Sequence, residues 1–176
     1  MRALTILLFT FFDICRLRLG PQDIPASRIL LSLVLFGYII VGIVLSSVKL
    51  DPLDAILFSL VESILSIMII GSLLHIAKKI TRFYQTLTAL AGTDTLFGGV
   101  RIPLIYWLAQ LQSMDSFIAS FLFVLLLTLV IWNLIVYAHI LKNALEVSFS
   151  IGVILTVVSS LLSTSILYQI FPMIIE

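Results

Sequence analysis

The stretch LDAILFSLVESILSIMIIGSLLHIA, residues 53–77, decides the fold of this protein. It is longer than the roughly 20 residues with which a helix crosses the ~30 Å hydrocarbon core of a bilayer. A backbone surrounded by lipid has no water to bond with, so such a stretch must be helical. It nevertheless carries a carboxylate, Glu62, in its interior. The stretch therefore predicts a transmembrane helix that retains an ionisable group.

The composition of the whole chain points the same way. Of the 176 residues, 61% are hydrophobic and 11% are charged, whereas a soluble domain is about half apolar and about a quarter charged. A soluble fold of this length has too little interior to hide so much apolar surface. The net charge of +1 gives no indication of a nucleic-acid partner. We predict an integral membrane protein.

Further apolar runs extend this prediction to an all-α bundle of about five transmembrane helices in a domain of residues 22–176. The runs at 29–48, 117–141 and 147–171 are each long enough to span a bilayer. Residues 95–111 predict a shorter, kinked span, or a re-entrant segment that begins near Pro103.

Two other segments have the pattern of interfacial helices. In residues 1–21, apolar Leu4, Leu8, Phe11 and Cys15 share one face of a helix, which is typical of an amphipathic helix lying in the membrane interface. Residues 78–92 predict a second interfacial helix, or an extension of the preceding span. We expect Gly92 to end that helix, and Thr93 or Asp94 to cap the next.

Charge sets the expected orientation. With five spans and a cytoplasmic N-terminus, Lys49 is the one basic residue outside, and nearly all other Lys and Arg face the cytoplasm. This predicts a protein of the bacterial inner membrane with a periplasmic C-terminus. Arg101 is expected near the inner end of its span, ~10 Å from the depth of Glu62 by helix rise, and is a candidate contact for a lipid headgroup.

Glu62 belongs to a polar stripe. Ser59, Glu62, Ser63 and Ser66 follow the i, i+3, i+4, i+7 pattern, so they share the face turned toward the bundle. Three interpretations stay open. Glu62 is protonated or bonded to hydroxyls and fixes helix packing; it lines a proton or cation path; or the span is shifted so that Glu62 lies nearer the interface.

Other polar residues predict contacts between helices. Small side chains recur every four residues in the last span, which lets two helix backbones approach closely; they are Ser148, Gly152, Thr156, Ser160 and Thr164. That face suits a neighbouring span, a second copy of the protein or, alternatively, a polar pore wall. Asn133 is expected to form an interhelical hydrogen bond.

Signatures of enzymes are missing from the sequence. It has no phosphate-binding loop, no His-Glu-x-x-His, no Gly-x-Ser-x-Gly and no Cys-x-x-Cys motif. One cysteine and two histidines leave little for a metal site. We therefore expect no catalytic residues, no metal and no cofactor.

Three stretches carry a resemblance: RLGPQDIPAS (18–27), RFYQTLTALAGTDTL (82–96) and WNLIVYAHILKNALE (132–146). They resemble an uncharacterised family of small proteobacterial inner-membrane proteins. That family in turn looks like a distant relative of the Yip family of Rab-interacting membrane proteins, in which a Gly-Pro also precedes the first span. Gly20 and Pro21 match this pair, while Leu17 and Arg18 replace the Asp-Leu of the longer motif. The resemblance implies five spans and a membrane-organising role.

The leading functional expectation is a non-enzymatic scaffold, or an accessory subunit, that binds membrane lipids, other integral membrane proteins or itself. The first alternative is a small transporter or proton-coupled channel that uses Glu62. The second is a lipid-handling membrane enzyme.

Overall fold

The computed structural model describes residues 2–111 and 117–172. Within these residues the secondary structure consists of six α-helices and two short 3₁₀ turns, with no strand; the helices are α1 Arg2–Cys15, α2 Arg28–Ser46, α3 Pro52–Ile76, α4 Phe83–Ala109, α5 Phe117–Leu145 and α6 Phe149–Ile170. The prediction of an all-α fold is confirmed. Four helices, α2, α3, α5 and α6, are long and apolar enough to cross a membrane.

The outer surface of the helices is apolar. Phe36, Phe117 and Leu161 are 65%, 85% and 63% exposed, and large aliphatic side chains surround them on the same faces. Contiguous apolar surface of this extent is not stable against water, whereas lipid tails cover it at no cost. The protein is an α-helical membrane bundle.

The ends of the helices meet in two layers. At one end, the Ser47 hydroxyl after α2 lies 3.3 Å from the Tyr106 hydroxyl of α4. At the same end, the Phe58 ring of α3 meets the Phe171 ring beyond α6 edge-on, with 5.5 Å between centroids. We call this the loop end, after the α2–α3 loop (47–51). Successive helices from α2 to α6 therefore alternate in direction.

The opposite end is held by ionic contacts, and we call it the basic end. Lys79 and Arg82, in the connection between α3 and α4, both pair with Glu146 in the connection between α5 and α6. Arg82 also donates to the carbonyl oxygens of Asn143 at 2.9 Å and Ala144 at 3.3 Å. These carbonyls belong to the last turn of α5, where no helical partner is available. The guanidinium therefore caps α5 while it joins two connections.

Three helices end in a left-handed residue that is not glycine. After α1, α3 and α5, the φ angles of Leu17, Lys78 and Glu146 are 60°, 57° and 58°. The following N–H in each case bonds to a carbonyl five residues back, at 3.0, 2.8 and 3.1 Å. This is the Schellman pattern, which usually recruits glycine. These three connections therefore turn sharply at a local cost in backbone energy.

Helix α4 lies at the centre of the bundle, and its bounds correct the sequence analysis. Every residue from Thr86 to Thr93 is buried. The helix runs through Gly92, so the predictions that a helix ends there and that Thr93 or Asp94 caps a new one are wrong. A Cβ at Gly92 would lie 2.4 Å from the Phe11 ring of α1. The glycine therefore admits a neighbouring side chain instead of ending the helix.

The predicted start of this segment after the preceding span is corrected as well. Residues 78–92 neither lie in an interfacial helix of their own nor extend α3, because the left-handed Lys78 ends α3 and α4 begins at Phe83. Beyond Asp94, α4 continues through Pro103 to Ala109. The helix does not turn back at Pro103, contrary to the re-entrant alternative.

The N-terminal helix packs on the bundle. Phe11 and Ile14 of α1 are buried against its neighbours, while Ile6, Phe9 and Phe12 are 65%, 64% and 53% exposed. The Trp132 indole N–H of α5 donates to the Cys15 carbonyl at 3.0 Å. The apolar face predicted to enter lipid is thus used in part for protein contacts, and the outward side of α1 also carries large apolar residues.

Candidate functional site

A polar cavity of about 420 Å³ lies between α2, α3, α4, α5 and α6. Its polar wall consists of two acids, one arginine, an asparagine, two tyrosines and several hydroxyls: Glu62, Asp94, Arg101, Asn133, Tyr38, Tyr137, Ser46, Ser66, Thr156, Ser159, Ser160, Ser163 and Thr164. Ligand sites commonly enclose 300–1,000 Å³ with a few convergent polar groups. The size and lining of this cavity suit a small polar ligand.

The first acid, Glu62, projects from near the middle of α3 into this cavity. Tyr38 of α2 stands beside Glu62 and beside Ser66, within reach of a hydrogen bond to either. α3 extends from Pro52 to Ile76, so Glu62 lies ten residues beyond the start of the helix, and its three interpretations stay predictions. The carboxylate therefore sits deep in the bundle on a wall of open space.

The second acid, Asp94, comes from near the middle of α4. The Asn133 side-chain amide of α5 donates to its Oδ1 at 2.8 Å. Asn133 is expected from the sequence to bond between helices, and its partner in the structure is this carboxylate. Glu62 and Asp94 interact electrostatically, and both line the cavity, so the site holds two acids.

Arg101 lies seven residues after Asp94 on the same face of α4, about 10.5 Å further along the helix axis. It interacts electrostatically with both Glu62 and Asp94, yet in the described part of the chain it closes no ion pair with either. Its Nε is buried and has no hydrogen-bond partner among the same residues. Arg101 is therefore an incompletely satisfied cation at the cavity.

Arg101 lies nearer to Glu62 than the sequence predicts. A span that starts at residue 95 leaves Arg101 near the inner end, whereas the observed α4 starts at Phe83. The earlier start moves Arg101 past the middle of its helix, toward the loop end. There it reaches the same cavity as Glu62. A contact between Arg101 and a lipid headgroup stays a prediction.

The serine stripe of α3 divides into two parts. The buried Ser59 hydroxyl donates to the Ile39 carbonyl of α2 at 3.0 Å, and the buried Ser63 hydroxyl donates to the Ser59 carbonyl at 2.7 Å. The Ser59 bond joins α3 to α2, whereas the Ser63 bond lies within α3. Ser66 lines the cavity together with Glu62. The stripe faces the bundle along its whole length, but only part of it reaches the cavity.

The small-residue face of α6 also has two uses. Ser148 caps the helix by accepting from the Ile151 N–H at 3.4 Å. A Cβ on Gly152 would lie 2.6 Å from the Ala138 carbonyl oxygen of α5, so here two backbones touch. Further along, Thr156, Ser160 and Thr164 line the cavity.

Asp94 is a site residue that the sequence does not predict, because the preceding Gly92 favours a helix cap at this position. A signal was present nonetheless: Asp94 and Arg101 are spaced by seven, so they share one face of any continuous helix. Nor does the sequence predict two α6 hydroxyls, Ser159 and Ser163, or the two tyrosines of the wall as site residues.

The cavity is asymmetric along the bundle. Toward the loop end, Ser46, Phe58 and Leu167 line its wall. Toward the basic end it gives way to a space of about 20 Å³ lined mainly by apolar residues of α2, α3 and α4. Beyond that, Leu74, Ile140 and Leu141 are 0% exposed. The polar space therefore extends toward the loop end and is closed toward the basic end.

Comparison with known proteins gives no functional lead, since no protein-family model, curated protein or solved structure matches the chain. Within the described residues, no group of three or more His, Cys, Asp or Glu side chains could hold a metal ion. The chemistry of the site therefore has to be argued from its acids, its arginine and its hydroxyls.

Proposed function

We propose that the protein is a small transporter that moves protons together with a polar solute across the membrane. One observation carries this proposal: Glu62, Asp94 and Arg101 share a single polar cavity within a bundle whose outer surface is apolar. A charge in a bilayer interior costs at least ~2.5–3.5 kcal/mol, and ionisable residues there typically mark ion or substrate pathways. Three such residues in one cavity favour a pathway over a purely structural role.

The shape of the cavity supports alternating access. Polar wall extends toward the loop end, while tightly packed apolar residues close the basic end. In a transport cycle this closed layer opens after a solute and a proton have bound. Glu62 is the proposed proton carrier, because among residues 2–111 and 117–172 no amide from another helix bonds to its carboxylate as Asn133 does to that of Asp94.

The scaffold function stays a second candidate, supported by the resemblance to the Yip family and by the wide apolar surface. Its proposed docking face on α6 is less available than the sequence suggests. Gly152 already packs against the Ala138 backbone within the same chain, and Ser160 and Thr164 border the cavity. We therefore rank transport first.

We further propose five spans in the bacterial inner membrane, with α4 as the central span. Its lower hydropathy suits a helix covered by protein, since every residue from Thr86 to Thr93 is buried. Lys78, Lys79 and Arg82 lie at the basic end, while Lys49 lies at the loop end. The positive-inside rule makes the basic end cytoplasmic. The N-terminus is then cytoplasmic and the C-terminus periplasmic.

Proton flux into proteoliposomes tests the proposed function. The vesicles contain a pH-sensitive dye, and a potassium diffusion potential drives protons inward. Each experiment is run twice, once with salts alone and once with a mixture of small polar solutes added. We expect acidification with wild-type protein and with Asp51→Asn, an exposed acid at the start of α3, but not with Glu62→Gln. Wild-type vesicles that acidify no faster than empty ones under both conditions would refute transport.

A further inference from the structure

The charges in the cavity suggest which solute it takes, an inference that rests on the proposed function. Glu62 and Asp94 offer carboxylate oxygens, and Arg101 offers guanidinium N–H groups. All three line the same space, yet in the described part of the chain no ion pair joins Arg101 to either acid. Opposite charges that face one cavity without meeting leave room for a molecule between them.

Arg101 requires an acceptor. Its Nε is buried and lacks a hydrogen-bond partner in the described residues, and an unmet buried donor is costly, more so when it is charged. Water can fill part of this need, but a carboxylate or phosphate matches the guanidinium fork with two parallel hydrogen bonds. The arginine therefore indicates an anionic group on the ligand.

The acids require a donor. Asn133 satisfies part of Asp94 through one hydrogen bond, and Tyr38 stands beside Glu62. Neither Asn133 nor Tyr38 carries a positive charge. The cavity wall therefore has two acids and one arginine to balance them. An ammonium group, with three donors, fits between them. The acids therefore indicate a cationic group on the same ligand.

We propose that the cavity binds a small zwitterion, with its ammonium group at Glu62 and Asp94 and its carboxylate or phosphate at Arg101. Asp94 and Arg101 are about 10.5 Å apart along α4 by helix rise. The distance between the carboxylate and the guanidinium is shorter, because the arginine side chain is long. This suits a molecule whose two charges are several bonds apart. The α6 hydroxyls Ser160 and Ser163 lie on the wall beside it.

Two sources offer this chemistry, a free amino acid and the phosphoethanolamine headgroup of a lipid. Calorimetric titration of the purified protein in a neutral detergent separates them. The soluble probes are glycine, β-alanine, γ-aminobutyrate and O-phosphoethanolamine, with butylamine and butyrate as singly charged analogues. The lipid probes are mixed micelles with phosphatidylethanolamine or, as control, phosphatidylglycerol.

We expect one of two results: a soluble zwitterion binds, or phosphatidylethanolamine binds while phosphatidylglycerol does not. In either case binding should be at least about tenfold tighter than that of butylamine and butyrate, because only a zwitterion pairs with both the acids and Arg101. A soluble hit identifies a free solute, and a hit with the lipid only identifies a headgroup. Arg101→Gln should weaken zwitterion binding about tenfold without weakening butylamine binding, whereas Arg28→Gln, outside the cavity, should change neither.

Butylamine binding as tight as that of any zwitterion would overturn the inference and indicate a simple cation site. Absence of binding by every zwitterion would overturn it too. This comparison uses the wild-type protein, so it holds even if Arg101→Gln does not fold. If zwitterions fail while proton flux still depends on Glu62, the proposed function stands without this inference; if the flux is also absent, the proposed function itself fails.

Discussion

The Asn133 side-chain amide donates a 2.8 Å hydrogen bond to the Asp94 carboxylate, and this bond joins α5 to the central helix α4 at the wall of the cavity. An asparagine is well suited to this place, because it holds a carboxylate without neutralising it. The bond fixes the direction of the Asp94 carboxylate at the cavity wall.

Loss of this bond should destabilise the bundle. Asn133→Ala leaves the Asp94 carboxylate short of a donor, which typically costs 1–3 kcal/mol for a buried polar group. We expect a lower melting temperature in detergent. A double-mutant cycle with Asp94→Ala isolates the coupling between the two side chains. Additive effects of the two substitutions would contradict a direct contact.

Access of water to the cavity can be measured with cysteine. The chain has a single cysteine, so Cys15→Ser gives a background without thiols. In that background we expect Ser163→Cys, on the cavity wall, to react with a charged, membrane-impermeant thiosulfonate. Leu161→Cys, which is two residues away and 63% exposed on the apolar outer surface, should react far more slowly in lipid. Equal reaction rates of the two cysteines would mean that water does not enter the cavity or that it reaches the outer surface of α6.

The contact of Gly152 with α5 predicts that alanine substitutions at Gly152 and at Gly99 change stability in opposite directions. A Cβ at Gly152 meets the Ala138 carbonyl at 2.6 Å, whereas a Cβ at Gly99 meets nothing within 4 Å. Gly152→Ala should therefore destabilise the protein by about 1–3 kcal/mol through overpacking. Gly99→Ala, in a helix interior, should stabilise it by about 0.5–1 kcal/mol. Thermal unfolding of both variants in one detergent checks the expected opposite signs.

The left-handed residue after α3 offers a stabilising change. Lys78 has a φ of 57°, a conformation that costs an L-residue roughly 1–2 kcal/mol and that glycine adopts freely. Lys78→Gly should raise the melting temperature. Lys142→Gly removes the same charge from a right-handed position in α5 and should lower it. A decrease for both variants would show that the lysine charge, and not the backbone, dominates.

The ionic contacts at the basic end predict a dependence of stability on pH. Hydrogen bonds from Lys79 and Arg82 hold the pKa of Glu146 below its ordinary value of 4.5. A depressed carboxyl pKa means that the contacts stabilise the folded state above about pH 4.5, and that this gain is lost as the pH falls through the lower folded pKa.

Glu146→Gln should therefore reduce the loss of stability on acidification below about pH 4.5. Lys79→Gln should reduce it partly, because Arg82 still pairs with the carboxylate. Melting temperatures of the three proteins across this pH range provide the measurement. Parallel curves for wild type and Glu146→Gln would exclude a contribution of Glu146.

The long apolar helices were predictable because a lipid-facing helix must be apolar over its whole length. Helix α4 was not, because protein covers its first half and its sequence is free to carry hydroxyls and glycine. The Thr86 and Thr88 hydroxyls donate to carbonyls four residues back, at 2.8 and 2.7 Å. Such bonds allow polar residues to be buried in this helix. The same residues interrupt the apolar periodicity by which a helix is recognised in a sequence.

The candidate site was predictable only in part, for a related reason. Glu62 and Asn133 stand out within apolar spans, and both line the cavity. Asp94 was assigned to a cap because Gly92 resembles a helix stop, and only the Phe11 ring of α1 explains that glycine. Tertiary contact between segments that are distant in sequence decides this position, and no local pattern reports it.

The single face of α6 both touches α5 and borders the cavity, so these two properties are mechanically linked. Gly152 sets how closely the helix approaches the Ala138 backbone, and Ser160 and Thr164 follow two and three turns later on the same side. A bulkier residue at the first position would tilt the helix outward and move the distant hydroxyls with it. The width of the cavity would then depend on Gly152, a residue that is not part of the cavity wall.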